Sequence, residues 1–140
     1  MKNRKYSKEA IRCCVDMLST DLFQGRLYSP FIETVVEFKT EVDFLLGLDQ
    51  LLDDIGKPQP YAILRTVNAN SIQERRYNGH PKQWRTVEDV QSHYGKQSTC
   101  DIIVETRRHV EWQGYVLQLS PQAILKFQSS EQCVEIIKRF

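Results

Sequence analysis

Residues that could do chemistry concentrate in one run: Arg75-Arg76-Tyr77-Asn78-Gly79-His80-Pro81-Lys82-Gln83-Trp84-Arg85. Arg75, Arg76, Lys82 and Arg85 are permanent cations, and Tyr77 and Trp84 are interleaved with them. Cations suit phosphate contact and aromatic faces suit base stacking, the combination found in binders of single-stranded nucleic acid. Glu74, Glu88 and Asp89 flank the run, so its local excess of positive charge is small. A Trp in a loop is also a common anchor that pins the loop to a core. The anchor is the more economical of the two readings.

Catalysis finds less support. The chain has no Gly-rich phosphate loop, no Gly-x-Ser-x-Gly, no His-Glu-x-x-His and no Cys-x-x-Cys. His80, His93 and His109 are widely spaced. Cys100 with His93 would make a thiol and a base, but their spacing follows no nucleophile pattern. Zinc sites need ligands in paired spacings, and Cys13, Cys14, Cys100 and Cys133 do not supply them. Phe23-Gln24 and Trp112-Gln113 invite a ligand-binding reading, although aromatics that fill a core explain them more simply. No catalytic, cofactor-binding or metal-ligating residue is assigned. An enzyme would have to assemble its site from dispersed residues.

The elements that must hold these residues come twice. Shifted by 89 positions, residues 11–51 fall on 100–140 without a gap. Phe23-Gln24-Gly25 meets Trp112-Gln113-Gly114, Phe38 meets Phe127 and Thr40 meets Ser129. Cys13, Val15 and Met17 alternate, as do Ile102 and Val104, which is the period of a half-buried strand. Each unit then reads as an aromatic-Gln-Gly strand, a short third strand and a helix. The helix starts are marked by Thr40…Asp43 and Ser129…Gln132, a hydroxyl followed three positions later by an acid or amide. Gly25 inside its strand suggests a bulge or a close backbone approach.

The spacing predicts strands at 10–18, 23–28 and 34–38 and a helix over 41–55 with a core stripe of Val42, Leu45, Leu48 or Asp49, and Leu52. In the second unit it predicts strands at 101–107, 111–119 and 123–127 and a helix from Glu131 onward. Between the units, Tyr61–Val67 reads as an additional strand, 68–82 as a long loop and Thr86–Tyr94 as a short helix closed by Gly95. Residues 1–9 are rich in Lys and Arg and are expected to fray. The acidic side of the first helix, with Glu41, Asp43, Asp49, Asp53 and Asp54, reads as a solvated face that could also meet a basic partner.

Composition sets the outer bounds. At 140 residues, with 41% hydrophobic and 26% charged residues, the chain has the size and make-up of one globular domain. A net charge of +1 gives no global preference for an acidic or basic partner. No stretch approaches the ~18 apolar residues of a membrane span. The basic start Met1–Lys5 is not followed by an apolar segment, so it does not read as a signal peptide. The cysteines read as free thiols in a reducing cytoplasm.

Trp112-Gln113-Gly114, then Phe127-Gln128-Ser129, then Val134-Glu135-Ile136-Ile137 form three short blocks in order. In these blocks the second unit resembles a group of short bacterial proteins of unknown function, built from a strand, a Trp-Gln-Gly step, another strand, a Phe-x-Ser step and a helix. The resemblance covers residues 100–140 and extends through the repeat to the first unit, where Phe23 replaces the Trp. It implies no activity and no cofactor.

The expected fold is therefore α+β: a tandem βββα repeat, with antiparallel sheets and helices packed on one face about a pseudo-twofold axis. Residues 1–140 form a single domain, made of a first unit over 11–56, an irregular connection over 57–99 and a second unit over 100–140. The expected function is a non-enzymatic cytoplasmic protein-interaction or regulatory module that binds a protein partner or itself. The alternatives are a nucleic-acid-binding accessory protein using the loop 75–85 and an enzyme with a dispersed site. An exposed apolar patch would favour the first, a continuous basic face the second and a deep polar pocket the third.

Overall fold

The computed structural model describes residues 10–55, 82–108, 111–119 and 122–139. The expected strand over Tyr61–Val67, the frayed start, His80, His109, and Arg75, Arg76 and Tyr77 of the basic run all lie outside the described residues.

The first meander consists of β1 (Ile11–Leu18), β2 (Phe23–Tyr28) and β3 (Val36–Phe38), followed by helix α1 (Glu41–Ile55). A short helix α2 (Val87–Gln91) precedes the second meander of β4 (Ser98–Arg108), β5 (Glu111–Leu119) and β6 (Gln122–Phe127), and helix α3 (Ser130–Lys138) follows it. The described strands form one antiparallel sheet in the order β3-β2-β1-β4-β5-β6. The fold is thus α+β, and the two meanders are joined edge to edge through their first strands. That joint extends β4 beyond the expected 101–107, because Ser98, Thr99 and Cys100 pair with Val15, Cys14 and Cys13.

Alternation along β1 sends Ile11, Cys13 and Val15 into the main core and Arg12 and Cys14 to the opposite face. Helix α1 starts where Thr40 Oγ1 accepts the Asp43 N–H at 3.1 Å, while Asp43 Oδ2 accepts the Lys39 N–H at 3.3 Å. Helix α3 repeats the arrangement: Ser129 Oγ accepts the Gln132 N–H at 3.1 Å, and Gln132 Oε1 accepts the Gln128 N–H at 2.7 Å. Each reciprocal pair satisfies two amides that a helix start would otherwise leave open.

Each meander carries a bulge at the same place. Val15 faces Gly25 and Met17 faces Gln24, with Asp16 as the extra residue. Val104 faces Gly114 and Thr106 faces Gln113, with Glu105 as the extra residue. A side chain at Gly25 would collide with the Cys14 carbonyl oxygen, and one at Gly114 with the Ile103 carbonyl oxygen. The glycine of the aromatic-Gln-Gly step is required by this close backbone approach.

The core lies between the sheet and the two longer helices. The Phe23, Phe38 and Phe44 rings meet at centroid separations of 5.1–5.3 Å. Trp112, Phe127, Cys133 and Ile137 are buried in the second half. Full burial of one such large apolar side chain is worth about 1.5–3 kcal/mol. The core stripe of α1 runs through Phe44, Leu48, Leu51, Leu52 and Ile55, not through Val42, which is 63% exposed. Phe44 takes the inward position because Phe23 and Phe38 complete its aromatic contacts. The acidic side of α1 is not wholly solvated either. The Arg107 side chain, 2% exposed, meets Asp49 Oδ1 at 2.8 Å and Asp53 Oδ1 at 3.1 Å. Lys138 on α3 pairs with Glu41 at the start of α1.

Candidate interaction surfaces

The sheet face away from α1 and α3 is polar in the first half, and residues 86–97 are fastened to it. Thr86 caps α2 by accepting the Asp89 N–H on Oγ1 at 3.0 Å. Val90 of α2 is buried in a small second cluster with Cys14 and Tyr28. Past the helix, side chains from β1 and β2 hold the backbone. Arg12 donates from Nε to Asp101 Oδ1 at 2.7 Å and from Nη1 to the Gln91 and His93 carbonyls, each at 3.0 Å. Arg26 donates to both Asp16 carboxylate oxygens at 2.9 and 3.0 Å, to the Tyr28 hydroxyl at 2.7 Å and to the Tyr94 carbonyl at 2.9 Å. The His93 ring stacks on Tyr28 at 4.0 Å. The Gln97 N–H donates to the Val15 carbonyl at 2.8 Å and the Lys96 N–H to Asp16 Oδ1 at 3.1 Å.

The electrostatics are those of a fastening. Burial alone would raise the Asp16 carboxyl, but hydrogen bonds from Arg26 and the Lys96 amide bring it below its ordinary value. The hydrogen bond to Asp16 raises the Arg26 guanidinium. Arg12 is raised as well, because the Asp101 hydrogen bond and charge outweigh the desolvation that opposes them. Burial pushes the Cys14 thiol up to about 11 despite the neighbouring Arg26 and Arg12. A thiol so protonated and fully buried is a poor nucleophile. Cys13 and Cys100 face each other across β1 and β4, and their mutual hydrogen bond together with burial pushes Cys13 up. Burial raises Cys133 in the same core. Cys100 and His93 are brought to opposite sides of the sheet, Cys100 in the main core and His93 stacked on the polar face. Among the described residues no group of three or more His, Cys, Asp or Glu side chains is placed to hold a metal ion.

The described end of the basic run lies at the rim of this plate. The Trp84 and Arg85 amides both point to the Pro30 carbonyl, at 2.8 and 3.4 Å. The Trp84 ring is 45% exposed and carries Lys82 Nζ over its face at 4.0 Å from the centroid. Among the described residues, the Trp84 backbone amide supplies the hydrogen bond of this attachment. Arg85 donates to the Glu33 carbonyl at 2.6 Å and lies 3.7 Å from Asp89. Arg85 is thus committed within the fold, while Lys82 and Trp84 present one cation and one aromatic face outward.

The second half offers a different surface. Strand β6 ends the sheet, and among the described strands it pairs only with β5. Phe127 belongs to the core, so Ala123 and Leu125 share the helix side and Gln122, Ile124 and Lys126 the other. Ile124 is 62% exposed and Leu125 37%. The sequence placed the strand correctly, but its place at the edge of the described sheet depends on strand order, which the pattern does not encode. The available signal was the run Ala123-Ile124-Leu125, apolar on both faces where a one-sided strand would alternate. The opposite edge, β3, has three residues and lies beside α1.

Among known proteins, no family model, no curated protein and no solved structure matches this chain. No helix among the described residues is long and apolar enough to cross a membrane.

Proposed function

We propose that this chain is a cytoplasmic protein-interaction or regulatory module made of two copies of one βββα unit about a pseudo-twofold axis. The shared 89-residue shift supports the duplication: it carries the bulges, the Gly–carbonyl approaches, the Gly25–Phe38 and Gly114–Phe127 pairings and both helix caps onto one another. The axis would pass between Arg12 and Asp101, which face each other and are related by the same shift. The observation that carries the interaction reading is the β6 edge, where Ile124 and Leu125 are exposed on opposite faces of an end strand. An edge strand presents unpaired N–H and C=O groups, and strand addition to such an edge is a recurrent mode of protein recognition. The test is affinity capture from the native cell with wild-type protein and with Ile124→Lys. A partner held by the wild type and lost by the variant supports the reading. A partner held equally by both places the interaction elsewhere.

A nucleic-acid role is the second reading, favoured by the exposed Trp84 ring beneath Lys82. Trp84 would supply a stacking face, and Arg75, Arg76, Tyr77 and Lys82 phosphate and base contacts. With Arg85 held by Glu33 and Asp89, fewer cations are available than the sequence suggested. Single-stranded oligonucleotide binding that falls steeply with salt and weakens in Trp84→Ala would support it.

A further inference from the structure

We propose that the partner of the β6 edge is a second copy of this chain, paired antiparallel through Ile124 to continue the sheet from one molecule into the next. The proposal rests on the interaction reading above and names its partner.

The register follows from symmetry. A twofold axis perpendicular to an antiparallel sheet passes through a pair of directly facing residues. On β6 that residue is Ile124 or Leu125, the two positions nearest the strand's middle. Centring on Ile124 sets Ile124 against its own copy, Gln122 against Lys126 and Ala123 against Leu125. The large Leu125 then has a small neighbour on the helix side, and the strand's only charge, Lys126, meets a neutral amide. Centring on Leu125 instead sets Lys126 against Ile124, leaving the apolar side chain against a charge. The Ile124 register buries the exposed apolar residues on both faces and opposes no like charges.

The other edge fits a second copy less well. Strand β3 centred on Glu37 would set two carboxylates against each other. Glu37 against Lys126 of another molecule is complementary, but β3-to-β6 pairing is head-to-tail and grows without closing. Closure at two molecules therefore distinguishes β6 self-pairing from the open chain. The β1–β4 joint is an antiparallel edge pairing of the same kind, in which Arg12 faces Asp101.

The experiment is sedimentation equilibrium of the purified full chain, 16.4 kDa, over a concentration series. The expected result is a reversible monomer–dimer equilibrium. Ile124→Lys, which faces two cations on the axis, weakens the dimer about tenfold or more while far-UV circular dichroism stays unchanged. Gln122→Glu sets a carboxylate against Lys126 of the other copy and tightens the dimer several-fold at low salt, and high salt removes the gain. Gln122→Lys loosens it. Gln122 is exposed, so these two variants report on pairing even if Ile124→Lys perturbs folding. A monomer at all concentrations overturns the proposal, and so does open-ended growth. A dimer indifferent to residues 122 and 124 also overturns it. If the chain is monomeric but captures another protein that Ile124→Lys loses, the interaction reading survives and the second copy does not.

Discussion

Positions separated by 89 residues occupy the same places in the two meanders, yet the faces they build differ. On the side away from the longer helices, the first half carries Arg12, Cys14, Asp16, Arg26 and Tyr28. The second carries Asp101, Ile103, Glu105, Tyr115 and Leu117 at the matching positions. Two guanidiniums in the first half donate to backbone carbonyls of residues 91–94 and fasten that segment. Tyr115 stands where Arg26 would be, so among the described residues the second half has no matching guanidinium fork. One strand arrangement thus carries two different sets of outward side chains, and in the first half they hold residues 91–94. The edges differ as well: three residues end the sheet at β3 and six at β6.

The comparison is broken most severely through the shared core. Phe38→Ala and Phe127→Ala should each lower unfolding free energy by about 3–5 kcal/mol, the usual cost of emptying a buried Phe site. Urea denaturation of both variants checks this. A loss under about 1 kcal/mol in one of them would show that the halves do not share a core design.

Arg12→Ala should cost about 3 kcal/mol or more, because it leaves Asp101 without its buried partner and frees the Gln91 and His93 carbonyls. The double exchange Arg12→Asp with Asp101→Arg should recover part of that loss. It restores the ion pair across the joint but moves the guanidinium fork away from residues 91–93. Full recovery would mean that the fork contributes nothing to holding the segment.

Arg26→Ala is expected to cost about 1 kcal/mol, since the pair is partly exposed. Its pH dependence has a defined sign. Asp16 titrates below its ordinary value of 3.8 in the native state, so its contribution is present above that value and fades as pH falls through the native one. Denaturation at a series of pH values should show a shallower acid loss in Arg26→Ala than in wild type.

Trp84→Ala should change stability by less than about 1 kcal/mol, because the ring is half-exposed and the variant keeps the amide that bonds Pro30. If residues 82–84 bind single-stranded nucleic acid, the same variant loses about 1–3 kcal/mol of binding.

Much of the fold could be read from the sequence because its signals are local. Alternation gave the strands, Thr40 and Ser129 the helix starts, and Gly25 a close approach that falls on the Cys14 carbonyl. Strand order was not legible, since the β1–β4 joint pairs residues far apart in the chain, Arg12 with Asp101 among them, and leaves no local mark. The inward face of α1 is not legible where Val42 and Phe44 compete, because the aromatic partners that favour Phe44 come from β2 and β3. The fastening of residues 91–97 was hidden for the same reason. Arg12 shares β1 with Asp16 and Arg26 shares β2 with Gln24, so nothing in the sequence sets them apart, and the carbonyls they hold lie 68–81 positions away.

The most direct test of the contrast between the two edges is backbone amide hydrogen exchange at low and high protein concentration. Alternate amides of β6, those directed away from β5, should gain protection as concentration rises, while β3 and the fastened face of β1 and β2 stay unchanged. Protection that grows at β3 instead, or at neither edge, would contradict the account.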